Sequence, residues 1–308
     1  MSTNAIQSSH IYSTYFAPRG RSRIYTLGMQ IAQLYLSPFD QIIGFIGEAG
    51  SGKSVLIKGM FPGIELTNDD DGVNVRPLPL LEQEYETGFF TPHTYHLDIR
   101  FETGFHQLSE LADAVRLAVR RGKRIIIEHF DLIYPLLGVN ANLLIGVGEQ
   151  IVITRPNLFG PLPQELCDIV YPSLAYRLMA HSAEDLCEYA MTQEQMLACS
   201  HGDIRHGFVL EFNEHQPDID IPTLEARVNE LIRQDLPIDY YDESHILLGG
   251  AQHYCTGPRT HVRSTGRIIG FRLLDHFIYD HFHKTYMLVG CVGDDSEENI
   301  QKLEKIHG

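Results

Sequence analysis

The chain has 308 residues, of which 44% are hydrophobic and 21% charged, and its formal net charge is −16. This composition excludes a disordered or fibrous chain, and the length suffices for two domains that each bury a core. The negative mean field opposes broad nonspecific nucleic-acid binding, and no apolar run reaches the roughly 20 residues that cross a bilayer.

Cys167, Cys187, Cys199, Cys255 and Cys291 are an odd number without disulfide-framework spacing. Nothing at the N-terminus resembles a signal peptide, so the expected compartment is the cytosol (cytoplasmic), with reduced thiols. Two basic clusters, one at Arg19, Arg21 and Arg23 and one at Arg116, Arg120, Arg121, Lys123 and Arg124, are read as solvated surface.

In chain order, residues 1–15 are polar and expected to be loosely ordered, and 23–35 space Ile24, Leu27, Ile31 and Leu34 as a helix does. Residues 41–46 carry Ile42, Ile43, Phe45 and Ile46 and predict a buried strand, followed by a glycine-rich turn and a helix over 55–60. Further strands are expected at 63–67, 95–101, 123–128 and 150–154, with an amphipathic helix over 107–121. Strands alternating with helices predict an α/β domain with a mostly parallel sheet. Pro156, Gly160, Pro161 and Pro163 punctuate a loop, a short strand is expected at 168–171, and the boundary is placed at Pro172, giving domains 1–172 and 173–308. Beyond it, a helix at 181–191, a strand at 207–212, a helix at 223–233 and short strands through 268–274 have an α+β texture, and the tail is acidic and then helical.

The turn reads GEAGSGKS and places Gly47, Gly52, Lys53 and Ser54 in the four fixed positions of GxxxxGK[ST], between a strand and a helix. Glycines let successive N–H groups curl around phosphate oxygens, so Glu48, Ala49, Gly50, Ser51 and Val55 join the nucleotide-binding set. Lys53 is expected to neutralise the β- and γ-phosphates and Ser54 to ligate Mg²⁺. Without an N-K-x-D motif, ATP is the expected nucleotide. Glu128 closes the strand RIIIE, where a carboxylate at the C-terminal edge of a parallel sheet can support the Mg²⁺ shell. Asp69, Asp70 and Asp71 follow the presumed second strand, and Asp-Asp-Asp-Gly also reads as an exposed acidic turn. His129 and Asp131 are read as local hydrogen-bonding groups.

Over roughly residues 41–154 the chain resembles the uridine kinase and phosphoribulokinase group of P-loop kinases. That resemblance implies that one of Asp69, Asp70 or Asp71 is the base that accepts the proton of a small-molecule phosphate acceptor.

The second half holds CTGPRTHVRSTGRIIGFRL at 255–273, DIDIPTLEARVNELIRQDLPI at 218–238 and HSAED at 181–185. These segments resemble the second additional domain of alanyl-tRNA synthetases and their free-standing editing relatives, over about 175–274. The resemblance implies a zinc site at His181, Asp185, Cys255 and His261, hydrolysis of misacylated tRNA, and tRNA as a partner. Asp185 stands where that family has a histidine, and Pro258 and Arg259 lengthen the Cys-to-His spacing by two residues. His201, His206 and His253 are read as ordinary surface or strand positions that could substitute as ligands. The fold class expected is therefore an α/β P-loop NTPase domain followed by an α+β synthetase-editing-like domain. Three functions stay open: a kinase, a zinc-dependent editing hydrolase controlled by nucleotide, and an ATPase switch.

Overall fold

The computed structural model describes residues 12–64, 66, 94–213 and 215–307, so Asp69, Asp70 and Asp71 lie outside the described residues. The described chain forms two compact units, 12–17 with 22–171 and 18–21 with 172–307.

The first unit is mixed α/β. Its elements are β1 (Tyr12–Phe16), α1 (Arg21–Tyr35), β2 (Ile42–Ile46), α2 (Lys53–Met60), β3 (Thr94–Asp98), α3 (Ile99–Glu102), α4 (Leu108–Arg120), β4 (Arg124–Glu128), α5 (Phe130–Leu137), β5 (Leu143–Val147) and β6 (Gln150–Thr154). Among the described residues they give a six-stranded sheet in the order β1-β6-β5-β2-β4-β3. Its parallel part is β5-β2-β4-β3, and β6 and β1 add antiparallel pairings at one side.

Strand β2 is buried along its whole length because helices cover both faces of the sheet. The two-residue period of a strand sends Ile43 and Phe45 to a core with Ile24, Leu27, Ile31, Leu56 and Ile57 of α1 and α2. Ile42 and Ile46 join the opposite core, with Leu111, Val115, Phe130 and Ile133 of α4 and α5. A Cβ on Gly44 would stand 2.7 Å from the Phe130 ring, so only glycine lets that helix approach. The glycine-rich segment thereby leaves from a strand that is packed on both faces.

Several expectations are corrected. Residues 12–16 form edge strand β1, whose half-exposed YSTYF pattern carries no apolar signal and which is held by its register on β6. Strand β5 was not anticipated, and none of residues 63, 64 and 66 is in a strand. The strand expected at 168–171 and the helix expected from 181 are both parts of one helix, α6 (Pro163–Ala190). Leu166, Val170 and Leu174 are buried at intervals of four, so the helical period overrides the β-branched look of Ile169 and Val170. Pro172 lies inside this helix, where proline normally costs about 3 kcal/mol.

The second unit adds α7 (Gln193–Ala198), β7 (Cys199–Ile204), β8 (Gly207–Asn213), α8 (Ile221–Arg233), β9 (Ile238–Asp242), β10 (His245–Leu248), β11 (Ala251–Tyr254), β12 (Arg272–Leu273), β13 (Ile278–Asp280), β14 (Thr285–Cys291) and α9 (Ser296–His307). Its strands form antiparallel sheets, β11-β10-β9 and β12-β14-β8-β7 with β13 on β14. Phe208, Leu210 and Phe212 project from one face of β8 onto Ala183, Leu186 and Cys187 of α6 and Leu224 and Val228 of α8. This packing fixes the rotation of α6 and with it the direction of the polar residues interspersed with that apolar stripe. Among the described residues no helix is long and apolar enough to cross a membrane.

Candidate functional site

Two clusters of buried polar side chains stand out, one in each unit. In the first, β2 delivers the chain to Gly47 and α2 takes over at Lys53. Gly47, Gly50 and Gly52 have φ of 153°, 79° and 94°, backbone that residues with a Cβ rarely adopt. A Cβ at Gly47 would in addition meet the Val147 carbonyl at 2.5 Å. Ala49 and Gly50 are exposed at the tip, Glu48, Ser54 and Val55 are half-buried, and Ser51 and Lys53 are buried. Gly52 caps α2 and supplies no side chain to its first-turn N–H groups.

Lys53 donates to the carbonyls of Gly47 and Glu48, each at 2.9 Å, and its Nζ is 3.7 Å from Glu128 Oε2. Burial lowers the Lys53 pKa, and the Glu128 and Asp98 carboxylates oppose that effect. Glu128 closes β4 beside β2, accepts a hydrogen bond from Ser54 Oγ at 3.1 Å and meets His96 Nε2 at 3.1 Å. Its burial would raise its pKa, but His96, Lys53 and Ser54 outweigh that and hold it below the usual carboxylate value. Asp98, at the end of β3, was not anticipated. It accepts from Phe101 N as the cap of α3, and ligand atoms of Asp98, Glu128 and His129 lie within 4.8 Å of one another. His129 sits at φ 56°, and burial and the nearby Lys53 and Arg100 push its pKa down to about 4. Arg100 donates to Glu48 Oε2 at 2.9 Å beside the loop. The signal for Asp98 was its position at a strand's C-terminal end, one strand over from Glu128.

In the second unit, α6 presents Glu184, Asp185 and Glu188, each less than a tenth exposed. Asp185 Oδ2 is 2.7 Å from His261 Nε2, and Cys255 Sγ is 3.7 Å from the same nitrogen. Three residues of the expected zinc set therefore converge. The fourth does not: His181 Nε2 lies 3.7 Å from Asp203 Oδ1, its Nδ1 has no hydrogen-bond partner among the described residues, and burial lowers its pKa to about 4.

A cation already sits at that convergence. Arg19, expected on the surface, is 2% exposed, and its guanidinium donates to Glu184, to Asp185 and, at 3.1 Å, to Cys255 Sγ. Burial works against its charge, but Glu184 and Cys255 outweigh it and raise the pKa above the ordinary arginine value. The Glu184 carboxyl, which burial would raise, is pulled down to about 2 chiefly by Arg19. Arg19 and a zinc ion on Asp185, Cys255 and His261 would compete for the same lone pairs, so the four-residue site implied by the resemblance does not fit this arrangement. Sequence could not show this, since Arg19 lies 166 positions from Asp185.

Further imidazoles and a thiol surround Glu188. His201 Nδ1 is 2.9 Å from Glu184 and its Nε2 3.1 Å from Glu188, Cys199 Sγ is 4.0 Å from Glu188, and His253 Nε2 is 3.8 Å from it. A pocket of about 210 Å³ opens onto them, lined among others by Arg19, Glu188, Cys199, His201, Tyr254 and Cys255. The second unit thus contains groupings of Cys, His, Asp and Glu side chains compatible with a metal such as zinc. By contrast, His206 is engaged elsewhere, stacked on Tyr176 and bonded to Asp295 at 2.9 Å.

Fold and sites together describe a mixed α/β chain with a glycine-rich strand-to-helix loop and a separate Cys/His/carboxylate cluster. No protein-family model matches the chain, and no curated protein matches it in sequence.

Proposed function

We propose that the first unit binds ATP with Mg²⁺ and transfers the γ-phosphate to a hydroxyl of a small molecule. The observation that supports this most is the meeting of Lys53, Ser54 and Glu128 at one end of the glycine-rich loop, with Asp98 beside them. Lys53 would exchange its two carbonyl partners for β- and γ-phosphate oxygens, and Ser54 with Glu128 would hold the Mg²⁺ shell. Bound Mg²⁺ supplies neutralisation of the charge that develops on the phosphate oxygens. The acceptor oxygen forms a bond to the γ-phosphorus as the bond to the β,γ-bridging oxygen breaks, and ADP leaves with that electron pair. The acceptor's proton passes to a carboxylate, for which Asp98 is the described candidate and Asp69, Asp70 and Asp71 are the alternatives from sequence.

Incubation with γ-labelled ATP and a panel of nucleosides, amino acids and sugars is expected to label one acceptor class. Glu128→Gln is expected to cut that transfer by at least about tenfold, because a neutral amide supports the metal shell poorly. Release of free phosphate alone would identify an ATPase switch instead, and absence of nucleotide binding would remove this reading altogether.

A second reading concerns the second unit alone, where the pocket beside Glu188, Cys199 and His201 favours metal-assisted hydrolysis of an ester, misacylated tRNA being the substrate implied by the resemblance. Deacylation of seryl-tRNA charged on alanine tRNA should then exceed the spontaneous rate, and a rate equal to the blank rules it out.

A further inference from the structure

We propose that the second unit holds a zinc-class divalent cation on Glu188, Cys199, His201 and His253, next to the position that Arg19 fills. The argument begins with charge. Glu184, Asp185 and Glu188 bring three carboxylates into the interior, and the hydrogen bonds of Arg19 go to Glu184, Asp185 and Cys255. Buried carboxylates need a compensating cation or a proton. Arg19 compensates at one end of the cluster, and Glu188, one turn further along α6, receives none of its hydrogen bonds.

What faces Glu188 instead is a set of metal donors. One grouping within 4.8 Å is Glu188, Cys199 and His201, and a second is Asp185, Glu188 and His253, so Glu188 is common to both. His253 points independently to a ligand. It is 8% exposed, its Nε2 has no hydrogen-bond partner among the described residues, and that nitrogen stands 3.8 Å from Glu188 Oε2. An imidazole nitrogen so placed is costly to leave unpaired, and a cation between it and the carboxylate satisfies both. Around a tetrahedral zinc, ligand atoms stand about 3.3–3.8 Å apart, close to the 3.1 Å from His201 and 4.0 Å from Cys199 to Glu188 Oε1 and the 3.8 Å from His253 to its Oε2, and closing all four on one ion requires His253 to move toward Cys199 and His201. Two imidazoles, a thiolate and a carboxylate form a donor set suited to zinc rather than to Mg²⁺ or Ca²⁺. Strand β7 supplies Cys199 and His201, strand β11 supplies His253 and helix α6 supplies Glu188, so the donors stand on regular elements with a pocket giving entry.

Metal at Glu188 is independent of phosphotransfer in the first unit. The test uses the full chain, stripped with a chelator and titrated with Zn²⁺ or Co²⁺ alone, with bound metal counted by elemental analysis. One ion per chain is expected, and the Co²⁺ form is expected to show a sulfur-to-metal charge-transfer band that Cys199→Ser removes and Cys255→Ser retains. Glu188→Gln and His253→Gln should each weaken binding by at least the roughly 10–100-fold that loss of a residue merely supporting a ligand costs. A wild-type chain that takes up no metal overturns the proposal, as does a thiolate band lost in Cys255→Ser and kept in Cys199→Ser. Should a variant fail to fold, the wild-type stoichiometry and band decide by themselves: one ion without a thiolate band also overturns it.

Discussion

Replacing Lys53 by Ala is expected to lower phosphate turnover by two to three orders of magnitude, roughly the loss seen when one preorganised donor to transition-state charge is deleted. Its ammonium is buried and held by the carbonyls of Gly47 and Glu48, both neutral acceptors, with the Glu128 carboxylate 3.7 Å away. Phosphate oxygens are stronger partners for that charge than carbonyls are. The substitution also leaves Glu128 with less positive charge nearby, so its carboxyl rises toward protonation and supports Mg²⁺ less well. Both effects act on the triphosphate, so affinity for ATP should drop far more than affinity for adenosine. Calorimetric titration with each, together with γ-label turnover, measures the two losses. Lys53→Arg is not expected to rescue, because the planar guanidinium does not fit between two carbonyls 2.9 Å from one nitrogen. Unchanged ATP affinity in Lys53→Ala would detach the glycine-rich loop from function.

The legibility of this chain divides along physical lines. Elements with strong local signals are read correctly: the apolar run of β2, the amphipathic α4 and the run RIIIE of β4. Elements whose stability comes from pairing or from a distant partner are not. Strand β1 owes its existence to backbone bonds with β6, and α6 continues through Pro172 because apolar residues on both sides of the proline are buried at helical spacing. The same distinction governs the sites. Gly47, Lys53, Ser54 and Glu128 were legible because motif and strand end place them, whereas Asp98 required knowledge that β3 lies beside β4. In the second unit the i, i+4 rule put His181 and Asp185 on one face of a helix. It could not say that α6 carries its acidic side chains onto Arg19, or that Glu188 a turn later meets two strands bearing Cys199, His201 and His253.

That distant arginine carries the other large expected effect. Arg19→Ala is expected to destabilise the second unit by about 3–5 kcal/mol, the usual cost of removing one partner from a buried ion pair. Glu184 and Asp185 would be left inside with their hydrogen bonds to the guanidinium gone. The pH dependence should weaken as well. In the wild-type chain the Glu184 carboxyl sits at about 2, against an ordinary value of 4.5. Its contribution, on the order of 3 kcal/mol, is therefore fully present above pH 4.5 and is lost as the pH falls through about 2. Without Arg19 the burial effect, which raises this pKa, loses its main opponent while His201 still lowers it, so the folded value rises toward the unfolded one and less stability is lost on acidification. Denaturant unfolding followed at neutral and mildly acid pH distinguishes the two slopes. Zinc adds a further discriminating readout. Removing the guanidinium frees lone pairs of Asp185 and Cys255 beside His261, so the variant should bind one more zinc than the wild type and recover part of its stability in its presence. His261 suits that role: a bound zinc would displace the proton between Nε2 and Asp185, 2.7 Å apart, and the Pro258 carbonyl, 3.3 Å from Nδ1, would accept the ring's remaining N–H. A variant with wild-type stability and an unaltered pH slope would show that Arg19 does not compensate the buried carboxylates, and a variant that loses stability yet gains no zinc would show that the three donors are shaped for a guanidinium alone.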